Sequence, residues 1–161
     1  MADVTETDLI HLRRCVTLAA EAVDKGDEPF GSVLVAADGS VLNEEHNRER
    51  STGDPTWHPE FALARWAALN MPAADRATAT VYTSGEHCPM CAAAHGWAGL
   101  GRIVYATSAL QTAAWYAEFG VGRSPVKTLR ITDVLAGAAV AGPVPELAEQ
   151  VYELHRRFRL G

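Results

Sequence analysis

The amino-terminal part of the chain alternates apolar and polar positions with the period of an α-helix. Thr5 and Asp8 have the spacing of a helix-capping pair, and Gly26 marks the end of the pattern. The pattern therefore predicts an amphipathic helix over residues 5–25. Its apolar positions are Leu9, Leu12, Val16, Ala19, Ala20 and Val23. Cys15 lies in the same stretch and is predicted to be a buried helix residue.

Short apolar runs that alternate with helical patterns continue as far as residue 107. Asp38-Gly39 is typical of a hairpin turn, and Pro72 ends an alanine-rich helical stretch. The predicted strands cover residues 30–36, 40–45, 79–83 and 102–106, the predicted helices cover 58–70 and 88–98, and a polar loop covers 47–57. Strands that alternate with helices in this way predict an α/β fold with helices on both faces of one sheet.

The pattern is weaker after residue 107. It predicts a helix over residues 110–119, an outer strand over 126–131 and a final helix over 145–158, with glycine-rich loops at 120–125 and 136–143. A chain of 161 residues without internal repeats or low-complexity segments is expected to form one domain, residues 1–161.

The clearest chemical signal is a set of zinc-binding residue types. His58, Cys88 and Cys91 supply one imidazole and two thiolates, which suit Zn²⁺ better than Mg²⁺ or Ca²⁺. Three protein ligands leave a fourth position for water, whose pKa zinc lowers to about 7, and this is typical of a catalytic site. A structural site would need a fourth protein ligand, for which His87 and His95 are the nearby candidates.

Glu60 follows two positions after His58, which is too close for a convincing fourth ligand in the usual spacing. Its carboxylate is near enough to reach a water on the metal, so Glu60 is predicted to carry protons during catalysis. A purely structural site has no use for a proton carrier at this position.

The motifs His58-Pro59-Glu60 and Cys88-Pro89-Met90-Cys91 resemble the H-x-E and P-C-x-x-C signature of the cytidine deaminase superfamily. The resemblance covers roughly residues 5–107, includes residues 29–35 and 54–56, and looks closest to bacterial guanine deaminases. It implies a three-layer α-β-α sandwich around a five-stranded mixed sheet, with one zinc ion per chain. It also implies hydrolytic deamination with Glu60 as proton shuttle, and a homodimer or higher oligomer.

Two positions depart from the family pattern. Pro59 stands where relatives usually have alanine, and a proline is tolerated in the first turn of a helix. His87 stands where relatives usually have proline before the first cysteine. It could face solvent, bond a substrate or replace a zinc ligand, and the sequence leaves these alternatives open.

Five residues are predicted to contact the substrate. Asn47 lies eleven residues before the histidine of the motif, where relatives place a substrate-binding asparagine, although a loop asparagine can also be a simple turn former. Phe30 is also predicted to contact the substrate, and Trp57 or Phe119 could form the aromatic slot of a flat heterocycle, although such residues are more often in the core. Glu86 is either a substrate-facing carboxylate or a charge at a strand end. Glu118 is, by resemblance to guanine deaminases, a second acid for a purine.

Composition narrows the possible partners. With 48% hydrophobic and 21% charged residues, no long apolar tract and no signal peptide pattern, the chain is expected to be a cytoplasmic protein without a membrane span. A net charge of −6 argues against non-specific binding of nucleic acid, so a small free substrate is expected. The exception is Arg156, Arg157 and Arg159, which indicate either a solvated helix end or an anion or RNA contact.

Together these features favour a zinc hydrolase that deaminates a free amino-heterocycle, with guanine first by resemblance and cytosine or another small amino-heterocycle second. Editing of transfer-RNA adenosine is an alternative that would require a basic rim. A non-catalytic, zinc-stabilised interaction module is the third hypothesis, and the presence of Glu60 argues against it.

Overall fold

The structure, a computed structural model, describes residues 3–161. Within that range the chain forms eight helices and five strands. In chain order they are α1 (Glu6–Asp24), β1 (Gly31–Val35), β2 (Val41–His46), α2 (Glu49–Thr52), α3 (Pro59–Asn70), α4 (Ala73–Thr78), β3 (Thr80–Gly85), α5 (Pro89–Ala98), β4 (Arg102–Thr107), α6 (Ala109–Glu118), α7 (Ile131–Val134), β5 (Val140–Ala141) and α8 (Pro145–Leu160). None of these helices is both long and apolar enough to cross a bilayer.

The five strands form one mixed sheet in the order β2-β1-β3-β4-β5. Strand β1 is antiparallel to both β2 and β3, whereas β4 is parallel to β3 and β5 is parallel to β4. Strands β2 and β3 therefore point in the same direction and end at the same edge of the sheet. The segments that follow these two strands carry the two halves of the zinc motif.

Helices cover both faces of the sheet, which confirms the predicted three-layer arrangement. Helices α1 and α8 pack on one face, and α3 and α5 pack on the other. Neighbouring side chains of β1 point to opposite faces of the sheet. Val33 and Val35 belong to the hydrophobic core against α1 and α8, and Leu34 belongs to the core against α3 and α5. Cys15 is a fully buried residue of α1, as predicted.

The prediction of an outer strand over residues 126–131 is wrong. That segment is irregular, Val126 and Leu129 are exposed, and Ile131 is buried at the start of α7. The fifth strand lies instead at Val140–Ala141, inside a segment predicted as a loop, and pairs with β4. Two residues are too few to show a strand period, so hydrophobic alternation could not reveal it.

Three short helices were also missed: α2 inside the predicted polar loop, α4 after Pro72 and α7 at the end of the predicted outer strand. Each is only one to two turns long, and neither α2 nor α4 contains a buried residue that would give an apolar period. Helices of this kind depend on contacts from the rest of the fold, and α2 becomes important for the site.

Gly31 allows α1 to approach β1 closely. A Cβ atom at Gly31 would lie 2.5 Å from the Cβ of Leu18 and even closer to the carbonyl oxygen of Cys15. Because these are atoms of a packed helix that cannot move aside, Gly31→Ala is expected to lower the free energy of unfolding by about 3 kcal/mol. Gly122→Ala is the matched control, since nothing lies within 4 Å of that position. Urea unfolding measures both, and a Gly31→Ala protein as stable as the control would contradict the packing.

Candidate active site

The two halves of the zinc motif begin two helices that pack against each other. His58 is the N-cap residue of α3 and Cys88 is the N-cap residue of α5. A proline occupies the first turn of each helix, where its missing N–H costs no hydrogen bond. Helices α3 and α5 are in contact, and the 3.5 Å distance between Nδ1 of His58 and Sγ of Cys88 shows that their N-termini lie side by side.

The three predicted zinc ligands come together with metal-site spacing. Nδ1 of His58 lies 3.5 Å from Sγ of Cys88 and 3.5 Å from Sγ of Cys91, and the two sulfurs are 3.5 Å apart. Donors on a tetrahedral zinc ion, at its usual bond lengths, are about 3.3–3.8 Å from one another. Within residues 3–161 this is the one group of three or more metal-binding side chains with such close donor atoms. One imidazole and two thiolates at this spacing fit a single Zn²⁺.

His87 and His95 lie outside this group of donors. The His87 side chain is 1% exposed, and its ring packs edge-on against His95 with 5.5 Å between centroids. Neither ring nitrogen of His87 has a hydrogen-bond partner among the described residues, whereas Nε2 of His95 is 2.8 Å from the carbonyl oxygen of Gly101. The structure therefore offers no fourth protein ligand from these histidines. Burial also lowers the pKa of His87, which keeps its ring neutral.

The pKa values of the two cysteines favour the binding of a cation between their sulfurs. A hydrogen bond from Cys91 lowers the pKa of Cys88 to about 4, and His58 acts in the same direction. The same pairing raises the pKa of Cys91, because a second thiolate would lie 3.5 Å from the first. A divalent cation between the sulfurs would relieve that repulsion and hold both as thiolates.

Glu60 lies directly beside the donor group. It is the second residue of α3 and is 5% exposed. Its Oε1 accepts a hydrogen bond of 3.2 Å from the Thr83 hydroxyl, and its Oε2 is 3.9 Å from Sγ of Cys91. Burial raises the pKa of Glu60 to about 7, an effect that His58 partly opposes and that a bound cation would also oppose. A buried carboxyl in this position can accept and return a proton next to the metal site.

Two of the predicted substrate residues, Asn47 and Phe30, lie in contact at the end of β2. Asn47 is fully buried, and its backbone N–H donates to the carbonyl oxygen of Phe30 over 2.9 Å. The Phe30 ring lies between Gly85, at the end of β3, and the ring of His155 on α8. Trp57 lies apart from them, because it lines a cleft of about 310 Å³ between α3 and the edge strand β2.

The two predicted glutamates are engaged elsewhere. The carboxylate oxygens of Glu86 accept hydrogen bonds from the backbone N–H groups of Ala109 and Ile131, at 2.8 and 2.9 Å. The Glu86 carboxylate therefore holds the first residues of α6 and α7 in place, which is a structural role. Glu118 is exposed on α6 and accepts a hydrogen bond from the Tyr152 hydroxyl over 2.6 Å. The structure records no hydrogen bond from Glu118 to the donor group.

Two residues of the site were not anticipated from the sequence. Thr83, whose hydroxyl donates a hydrogen bond to Glu60, is a buried β-branched residue of strand β3, with nothing in the sequence to distinguish it. Glu49 is a carboxylate of α2 whose Oε1 lies 3.7 Å from Nε2 of His58. Its position two residues after Asn47 carries no recognisable motif, so only the fold reveals the contact.

The carboxyl-terminal arginines are paired within the chain. Arg156 pairs with Glu153, Arg157 with Asp24 and Arg159 with Glu28, at 2.5, 2.9 and 2.6 Å. These ion pairs favour the interpretation of a solvated helix end over that of a contact with an external polyanion.

Comparison with known proteins agrees with this geometry. The family described as "Cytidine and deoxycytidylate deaminase zinc-binding region" matches residues 5–107, which is more than half of the chain. The chain belongs to this deaminase family. The matched range includes the three predicted zinc ligands and Glu60, so the donor group described above lies within the zinc-binding region of this family.

The relatives of this deaminase domain are named for different substrates. Guanine deaminase of Bacillus subtilis is 41% identical over 96 residues, which cover 59% of this chain and 61% of that protein. A probable cytosine deaminase of Schizosaccharomyces pombe is 32% identical over 106 residues, which cover 66% of this chain and 64% of that protein. The chain thus matches less than two thirds of the length of either relative.

A solved structure extends the similarity to nearly the whole fold. A protein from a study of A-to-I editing by tRNA:A34 deaminases superposes with a TM-score of 0.65 at 25% identity. The superposition covers 91% of this chain and 99% of that one. The cytidine deaminase-like architecture predicted from the motif is confirmed.

Proposed function

We propose that this protein is a zinc-dependent hydrolase that deaminates a free amino-heterocycle, with guanine as the preferred candidate and xanthine and ammonia as products. The observation that carries the proposal is the buried Glu60 carboxyl beside three zinc donors that leave a fourth position open. A structural zinc site has four protein ligands and needs no neighbouring proton carrier.

The chemistry assigns separate tasks to the side chains. Zinc in a three-ligand site supplies a nucleophile at neutral pH by lowering the pKa of a bound water to about 7. Glu60 would take a proton from that water and pass it to the ring nitrogen as the ring carbon is attacked. It would then take the proton of the new hydroxyl group and deliver it to the amine as the carbonyl forms and the carbon–nitrogen bond breaks. Thr83 holds one oxygen of Glu60, which leaves the oxygen nearer to Cys91 for this transfer.

Asn47 is proposed to orient the heterocycle. An amide offers an acceptor and a donor side by side, which complement a ring N–H and a ring carbonyl. Phe30 would contribute an apolar surface next to the end of β3. Glu86, Glu118 and Trp57 remain predicted substrate residues, and the contacts they make give them weaker support than those of Asn47 and Phe30.

Guanine is preferred because the relative with 41% identity carries that activity in its name. The cytosine deaminase relative supports cytosine as the second candidate. Transfer RNA is less well supported, because the net charge is −6 and the arginines of α8 are already paired with carboxylates of the chain.

The test is ammonia release by the zinc-loaded protein from a panel of substrates. The panel contains guanine, cytosine, adenine, their nucleosides and a transfer-RNA stem-loop. The highest kcat/KM is expected with guanine. Turnover of the stem-loop alone would support the RNA-editing alternative, and turnover of none by protein with full zinc would contradict the proposed function.

A homodimer in the cytoplasm, acting in purine salvage, completes the proposal. Exposed apolar side chains on α3 and α5 support association, since Leu69 is 74% and Trp97 is 92% exposed. Three cysteines without a disulfide are compatible with a reducing compartment. Sedimentation velocity is expected to give about twice the chain mass of 17.3 kDa, and an active monomer would contradict the dimer.

A further inference from the structure

We infer that Glu49 is a positioning residue that orients His58 for zinc. The His58 ring is aligned between two partners. Nδ1 is 3.5 Å from both cysteine sulfurs, and on the other side Nε2 is 3.7 Å from Oε1 of Glu49. The inference concerns the same site as the proposed function and depends on its zinc ligands.

Glu49 is itself held firmly from two directions. Asn47 donates from Nδ2 to Oε2 of Glu49 over 2.7 Å, and the Glu49 backbone N–H donates to Oδ1 of Asn47 over 3.0 Å. The next two residues, Arg50 and Ser51, donate their backbone N–H groups to Oδ1 of Asp27, each over 2.9 Å. Asn47 and Asp27 are both fully buried, so α2 presents the Glu49 carboxylate to His58 from a fixed base.

A carboxylate at this place selects one form of the histidine. When Oε1 accepts the Nε2–H, the proton is kept on Nε2 and the lone pair of Nδ1 is left free to face the cysteines. The carboxylate also increases the electron-donating strength of the imidazole toward a metal. The 3.7 Å separation of Nε2 and Oε1 is about 0.5 Å longer than a hydrogen bond, and we propose that the two atoms come within hydrogen-bond distance when zinc binds.

The same contacts link the metal ligand to the residue proposed to hold the substrate. Asn47 uses one hydrogen of Nδ2 and one lone pair of Oδ1 for Glu49. The other hydrogen and the other lone pair remain for a heterocycle. A single chain of contacts, from Asn47 to Glu49 to His58, therefore fixes both the Asn47 amide that is proposed to bind the substrate and the zinc ligand His58.

The experiment measures zinc affinity without any substrate. The dissociation constant for Zn²⁺ is obtained by competition with a chromophoric chelator for the wild type, Glu49→Ala and Glu49→Gln. We expect Glu49→Ala to bind zinc about 10–100-fold more weakly, the usual effect of removing such a partner. Glu49→Gln should lie between these proteins, because its amide oxygen still accepts a hydrogen bond without the charge. Visible spectra of the Co²⁺-loaded proteins should shift in the same order.

Glu45→Ala is the matched control. The Glu45 side chain is 19% exposed against 24% for Glu49, and it pairs with Arg48 instead of His58. Its zinc affinity is expected to equal that of the wild type. If Glu49→Ala does not fold, Glu49→Met keeps the length of the side chain without its oxygens and takes its place.

The outcomes separate this inference from the proposed function. Zinc affinity of Glu49→Ala within twofold of the wild type, with an unchanged Co²⁺ spectrum, would overturn the positioning role. Equal weakening in Glu45→Ala would overturn it too, because the effect would then come from general charge. A wild type that binds zinc tightly but deaminates nothing would overturn only the proposed function.

Discussion

Glu60→Gln is expected to keep its zinc and to lose about 10²–10⁴-fold in kcat. Glutamine has nearly the shape of glutamate, so the hydrogen bond with Thr83 and the packing around α3 should persist. It cannot accept and return a proton, which removes the transfer that links water to the leaving amine. Zinc content by atomic emission and ammonia release under saturating substrate measure the two effects separately.

Glu45→Gln provides the control for that experiment, because it makes the same chemical change at a carboxylate that pairs with Arg48, the residue before α2. Its turnover should equal that of the wild type. An active Glu60→Gln protein would refute the assigned role, and loss of zinc from it would show that Glu60 supports the metal instead.

Cys88→Ala is expected to abolish tight zinc binding. The change removes one of three donors and the thiolate with the lowest pKa at the site, and two remaining ligands cannot hold the ion in competition with a chelator. Activity should disappear with the metal. Equilibrium dialysis against Zn²⁺, followed by thermal unfolding, distinguishes metal loss from unfolding.

Cys15→Ala is the matched cysteine control. Cys15 is a fully buried core residue of α1, so its replacement should lower stability slightly and leave zinc stoichiometry at one per chain. Full zinc occupancy in Cys88→Ala would mean that the donor set is drawn incorrectly, and His87 would be the first residue to reconsider.

The zinc group and the layered fold could be predicted because their signals are local. His58 and Cys88 precede helices whose first turns are marked by proline, and the spacing of Cys91 follows from one helical turn. The strands β1, β3 and β4 are long enough to show runs of apolar residues. Sequence patterns of this length depend little on the rest of the molecule.

The remaining features depend on distant contacts. Glu86 looks like a charge at a strand end until α6 and α7 are seen to donate to it. Glu49 lies in a segment that the sequence predicts as a loop without any motif. Its role depends on Asp27, more than twenty positions earlier, which fixes α2. The segment 126–131 has strand-like composition, but the sheet edge is occupied by β5, so the composition was misleading.

The placement of His58 and Cys88 at the starts of two packed helices has a consequence for metal exchange. Hydrophobic contacts between those helices, and with the sheet beneath them, do not involve the metal and are expected to keep the donors close together when it is removed. Unlike a zinc finger, whose chain collapses into shape only around its metal, this domain should survive chelation as a folded apoprotein. Returning Zn²⁺ should then restore function within the time of simple diffusion and coordination, with no refolding phase.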